Sequence, residues 1–195
     1  MAAVAFVNAS VDGSAYGDAG EPSMTPDGRH VVFVGASYDG RFGISPLVDG
    51  VTFPQNVLHG HQLCVRDLQT NTTTLVSVRP NGVGSVGNDD DVNFHPSISA
   101  DGSKVVFVGG IQDDFVAGDG NRQPDIFVRD LRTGTTTLVS RNAAGTSGGN
   151  NRSYAPTISA DGLYVTFLSD ATTSPISRTR TTSQTCSRTR SRRGG

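Results

Sequence analysis

The apolar positions of this chain fall in short bursts, each preceded by an Asp-Gly pair. The fullest reads PSISADGSKVVFVGG, Pro96 to Gly110, with near copies PSMTPDGRHVVFVGA at Pro22 to Ala36 and PTISADGLYVTFLSD at Pro156 to Asp170. Val105, Val106, Phe107 and Val108 are β-branched or aromatic without a polar gap, which favours a strand covered on both faces over a helix. Asp101-Gly102, set between two such runs, reads as a tight two-residue hairpin turn in which both residues take positive φ. Val31 to Val34, Val105 to Val108 and Val165 to Leu168 are accordingly expected to be the most buried parts of the chain.

A second pattern follows the first two bursts. LCVRDLQTNTTTLVSV, Leu63 to Val78, and IFVRDLRTGTTTLVSR, Ile126 to Arg141, each read as a hairpin, with Gly134 standing where Asn71 stands. Asn and Gly are the residues that accept a left-handed backbone most readily, so both positions mark the turn. The spacing is 63 residues from Cys64 to Phe127 and 60 from Pro96 to Pro156. Each full repeat therefore has four strands in two hairpins, a sheet that must stack on its neighbours to cover both faces. This is the blade of a β-propeller, and the fold class is all-β, a partial β-propeller of four-stranded antiparallel blades. The expected organisation is a propeller fragment over residues 1–170, with an outer strand at 2–8 that contains Val4 to Val7. Blades follow at 21–78 and 95–141, and a partial blade at 155–170.

The ISADG turn, the VVFVG strand and the DIFVRDL…TTTLVS hairpin together resemble the TolB-like, WD40-like β-propeller repeat family over roughly Ala2 to Asp170. The resemblance implies a non-catalytic, protein-binding scaffold in a periplasmic or extracellular setting. It also implies an alternative, a propeller domain fragment of a larger enzyme such as a serine peptidase, which an α/β-hydrolase domain encoded downstream would reveal. A metal- or small-molecule-binding propeller is a third class. It calls for polar or His residues on the innermost strands, where Ser97, Ser99 and their equivalents offer nothing distinctive.

Composition narrows these classes. Hydrophobic residues make up 35% and charged residues 17%, with 24 Gly, which suits a compact, turn-rich β protein. No run approaches the length of a membrane span, so membrane insertion is not expected. The N-terminus, MAAVAFVNAS, lacks the basic and apolar regions of a signal peptide. Cys64 and Cys186 lie in dissimilar contexts, which points away from a disulfide framework. Up to Asp170 the chain carries all 18 acids but only ten of its 16 bases, a net charge of −8, so nucleic acid is not an expected partner of the body.

Few residues offer chemistry. Asp119, Asn121 and Asp125 in AGDGNRQPDIF place side-chain oxygens at alternating loop positions, as calcium loops do, and calcium is the ion they would hold. The same residues are what a turn entering a strand would use, and this reading is the stronger. His59 and His61 share one face of a strand at i, i+2, but no third ligand can be named, and an exposed loop explains them. Their loop, Tyr38 to Gln62, is the insertion expected to form a contact surface. Arg66-Asp67 and Arg129-Asp130 recur in the third strand of each blade and read as structural ion pairs or inter-blade hydrogen bonds. No nucleophile-elbow pattern is present, so no enzyme activity is expected. Cys64 falls where Phe127 falls and reads as a small core residue.

The tail, 171–195, changes abruptly: Arg178, Arg180, Arg188, Arg190, Arg192 and Arg193 appear among Thr and Ser with no acid. A basic disordered arm is one reading. The other is a frameshift, because permitted codons for Arg178 to Ser187, read one frame over, spell Asp, Ala, Asn, Asp, Gln, Pro, Asp, Val, Phe. That nearly repeats DGNRQPDIF, Asp119 to Phe127, where the third blade should supply it. Either reading expects a tail without a core to join, and hence disordered. Resequencing the gene is expected to restore blade-like text after Asp170 in the shifted frame; text that stays unrelated would defeat the frameshift.

Overall fold

A computed structural model describes residues 19–37, 60–80, 94–111, 115–173 and 185–190. They form three antiparallel sheets. The first runs β1 (Ala19–Met24), β2 (His30–Ser37), β3 (Gly60–Asp67) and β4 (Thr72–Leu75), in that spatial order. The second repeats it with β5 (Ser97–Ile98), β6 (Lys104–Gly109), β7 (Asp125–Asp130) and β8 (Thr135–Leu138). The third holds β9 (Ser153–Ile158), β10 (Tyr164–Ser169) and β11 (Thr185–Arg190). The registers match between copies: Phe33 lies opposite Cys64, and Phe107 opposite Phe127. The chain is thus a partial β-propeller of four-stranded blades. The strand expected at Val4 to Val7 lies outside the described residues.

The Asp-Gly turn is built differently from the expected two-residue hairpin. Only the glycine has positive φ, at 73° for Gly28, 71° for Gly102 and 66° for Gly162. The loop is longer, closed by Ser99 N–H donating to Lys104 O at 2.9 Å, with Gly102 N–H donating to Ser99 O at 2.9 Å. The aspartate does its work through its side chain. Asp101 Oδ1 accepts from Ser99 Oγ at 2.7 Å and from Ser103 N–H at 3.0 Å, while Ser99 Oγ accepts from Lys104 N–H at 3.0 Å. Thr25, Asp27, Arg29 and His30 repeat these bonds in the first sheet, and Ser159, Asp161, Leu163 and Tyr164 repeat them in the third. A short polar side chain that satisfies the loop backbone removes the need for a second left-handed residue. The outer hairpins behave as the sequence indicates, with Asn71 at φ 60° and Gly134 at φ 67°.

Each innermost strand also carries a kink. Glu21, His95 and Ala155, each followed by proline, have φ of 50°, 42° and 51°, and the register slips at Glu21-Pro22 and again at Ala155-Pro156. Proline cannot donate to a ladder, so a bulge on an edge strand is where a sheet tolerates it.

Side chains alternate across each strand, and this alternation stacks the sheets. Val32, Val34, Leu63 and Val65 of the first sheet meet Val105, Phe107 and Phe127 of the second. The opposite face of the second sheet, Val106, Val108, Ile126 and Val128, meets Ile158, Val165 and Phe167 of the third. Phe107 is fully buried, stacked on Phe127 with ring centres 5.9 Å apart and edge-on to Phe115 at 5.3 Å. Burial of each such ring stabilises the stack by about 1.5–3 kcal/mol. The expectation of continuous burial holds for Val31 to Val34 and Val105 to Val108. It fails for Val165 to Leu168, where Thr166 is exposed and Leu168 half-buried. Among the described residues only one face of the third sheet meets another sheet, so its burial follows the strand period of two.

Of the tail, Thr185–Arg190 pairs along all of β10, with Phe167 opposite Ser187 as Phe107 is opposite Phe127, and takes the third-strand place of its blade. The remainder beyond Thr173 lies outside the described residues. Backbone pairing needs no particular side chain, so even this composition can extend a sheet edge.

The turns also stack on one another. A Cβ at Gly102 would lie 2.4 Å from His30 Nδ1 of the preceding blade, and one at Gly162 would lie 3.3 Å from Lys104 Cδ, whereas Gly28 has nothing within 4 Å. Replacing any of these glycines by alanine costs about 1–2 kcal/mol for the left-handed backbone. Gly102→Ala must displace the His30 ring as well, so it is expected to lower the unfolding free energy by clearly more than Gly28→Ala. Equal losses in urea denaturation would contradict the stacking.

Candidate functional site

The Asp119, Asn121 and Asp125 set is brought together at the entry to β7. Asp125, the first residue of the strand, is fully buried. Its Oδ2 accepts from Asn121 Nδ2 at 2.5 Å, and its Oδ1 accepts a short hydrogen bond from Ser140 Oγ. Asn121 Nδ2 also donates to Gly149 O at 2.7 Å, and Asn121 Oδ1 accepts from Gln123 N–H at 2.9 Å. The Asp119 side chain acts on Asp125 as well, in the direction that lowers its carboxyl. Burial pushes the Asp125 carboxyl up from its ordinary value, against the pull of the Ser140, Asn121, Asp119 and Gly149 hydrogen bonds. Gly148 closes the cluster, since a Cβ there would sit 2.2 Å from Asn121 Nδ2 and 2.3 Å from Asp125 Oδ2. Among the described residues no group of three His, Cys, Asp or Glu side chains converges, so the set offers two carboxyls and one amide.

Sequence reasoning missed Ser140, and the first blade shows its job. There Ser77 Oγ donates to Gln62 Oε1 at 2.9 Å and accepts from Leu63 N–H at 3.0 Å, as Ser140 Oγ accepts from Ile126 N–H at 2.9 Å. Gln62 and Asp125 are equivalent acceptors, one neutral and one acidic. The recurring LVS text after each outer turn is the signal that marks both serines.

The repeated Arg-Asp pairs are not ion pairs, and neither are they inter-blade bonds. Neighbouring strand residues point to opposite faces, which separates the two side chains. Arg66 donates to Thr73 Oγ1 at 2.8 Å and, by a short bond, to Asn71 Oδ1. Asp67 caps its turn by accepting from Gln69 N–H at 2.8 Å, and Asp130 does so from Arg132 N–H at 2.9 Å. Arg29 grips Asp67 from across the sheet through Nε at 3.1 Å and Nη2 at 2.7 Å, and Arg132 reaches Asp101 at 2.9 Å. These pairs line a cleft of about 340 Å³ between the first two blades. Its charges neutralise one another.

Of the other candidates, Cys64 is buried opposite Leu75, and burial pushes its thiol up to about 12, far from a reactive thiolate. His61 is half-buried on β3; His59 and most of the Tyr38 to Gln62 insertion lie outside the described residues. Ser99 is fully buried and closes its own turn through Asp101 and Lys104, while Ser97 Oγ accepts from Ile158 N–H of the next blade at 3.4 Å.

No protein-family model matches this sequence, and no curated protein matches it significantly. Among solved structures it is similar to TolB from Acinetobacter baumannii, at 19% identity over 92% of this chain and 33% of that one, with a TM-score of 0.45. It is also similar to the β-propeller domain of the Trilobed protease from Pyrococcus furiosus, at 13% identity over 78% and 34%, TM-score 0.45. The tricorn protease is a third, at 14% identity over 80% and 11%, TM-score 0.47. The chain thus spans about a third or less of each.

The electrostatics give a test. Arg29 holds the Asp67 carboxyl well below the usual carboxylate range. Asp101, which burial alone would raise, is brought down to about 2 by Ser103, Ser99 and Arg132. Asp27 and Asp161 are lowered by the Thr25 and Ser159 hydroxyls. A lowered folded value means the stabilisation is complete above the unfolded value of about 3.9 and is lost as pH falls through the folded one. Asp125 has the opposite sign, so its contribution improves as pH falls through its raised value. Stability by urea unfolding is expected to fall steeply between about pH 4 and pH 2, and Asp101→Asn should flatten that fall while Asp125→Asn leaves it.

Proposed function

We propose that the chain is part of a non-catalytic β-propeller scaffold that binds a protein partner at one end of its blades, outside the cytoplasm. The observation that carries the reading is an asymmetry between the two ends of the sheets. At one end the Asp-Gly and outer turns recur with the same hydrogen bonds, and their polar side chains are taken up by the turns themselves. At the other end the connections vary: 22 residues separate Ser37 from Gly60, against 15 between Gly109 and Asp125. Variable loops on a repeated frame are where a scaffold carries its specificity. The exported location follows from the resemblance of the repeats to the TolB-like family, and the negative body disfavours nucleic acid as the partner.

Ile111 and Met24 allow a direct comparison, since they are 60% and 59% exposed at opposite ends of the blades. A photo-crosslinking residue at position 111 is expected to form a specific adduct with a protein from the native extracellular fraction, and one at position 24 is not. Exchanging residues 38–59 for residues 110–124 should abolish the adduct. Capture from position 24 alone, or from neither, would overturn the assignment of the binding end.

A second reading, a calcium ion held by Asp119, Asn121 and Asp125, is favoured by the two acidic side chains and the amide that meet at the entry to β7. Oxygens of this kind are the hard ligands that calcium takes. Millimolar calcium should then raise the melting temperature relative to chelator, and Asp119→Asn should remove the rise. No rise in the unaltered chain leaves the cluster a structural one.

A further inference from the structure

We draw no further inference here: the strongest candidate, the face of the third sheet that carries Thr157, Thr166 and Leu168, meets no other sheet among the described residues, and nothing in the structure shows what covers it.

Discussion

One carboxylate, placed two residues after a Ser or Thr hydroxyl, holds each inner hairpin of this protein together. The hydroxyl donates to the carboxylate, the carboxylate accepts from the backbone two residues on, and the hydroxyl accepts from the first residue of the next strand. The turn is then closed by its own side chains. Strands that are apolar on both faces, such as β6, can follow such a turn because its register is fixed locally.

Stacking depends on that register. Because Val105 and Phe107 point one way and Val106 and Val108 the other, the second sheet can be covered on both faces by its neighbours. The glycine of each later turn then comes to rest on a side chain of the blade before it, His30 for Gly102 and Lys104 for Gly162. Ala100 N–H donates to Ala160 O at 3.0 Å, and Lys104 Nζ donates to Gly162 O at 3.1 Å, so backbone as well as side chains joins the turns of adjacent blades.

Differences between the copies are then easier to weigh than the residues themselves. Gln62 and Asp125 perform the same structural task for Ser77 and Ser140, yet only Asp125 brings a carboxyl into the interior, beside Asp119. Asn71 and Gly134 are both turn residues at positive φ, yet only Asn71 gives its arginine an acceptor. A repeat protein can diverge at such places without disturbing its frame, since the shared hydrogen bonds remain.

The sequence by itself determined the architecture. Four strands per repeat, two hairpins per blade and the left-handed turn at Asn71 and Gly134 are local consequences of side-chain period and backbone preference, and both act within a few residues. The Asp-Gly pair was read correctly as a turn, but its loop length was decided by the Asp101 carboxylate bonding back to Ser99, a side-chain option that periodicity does not express. The Arg-Asp pairs and the third sheet's partial burial were decided by which face each side chain occupies and by what stacks upon it. Most removed from the sequence was the setting of Arg129. It follows from comparing two blades in space, where half-buried Arg129 keeps the threonine bond but lacks the amide that Asn71 gives Arg66.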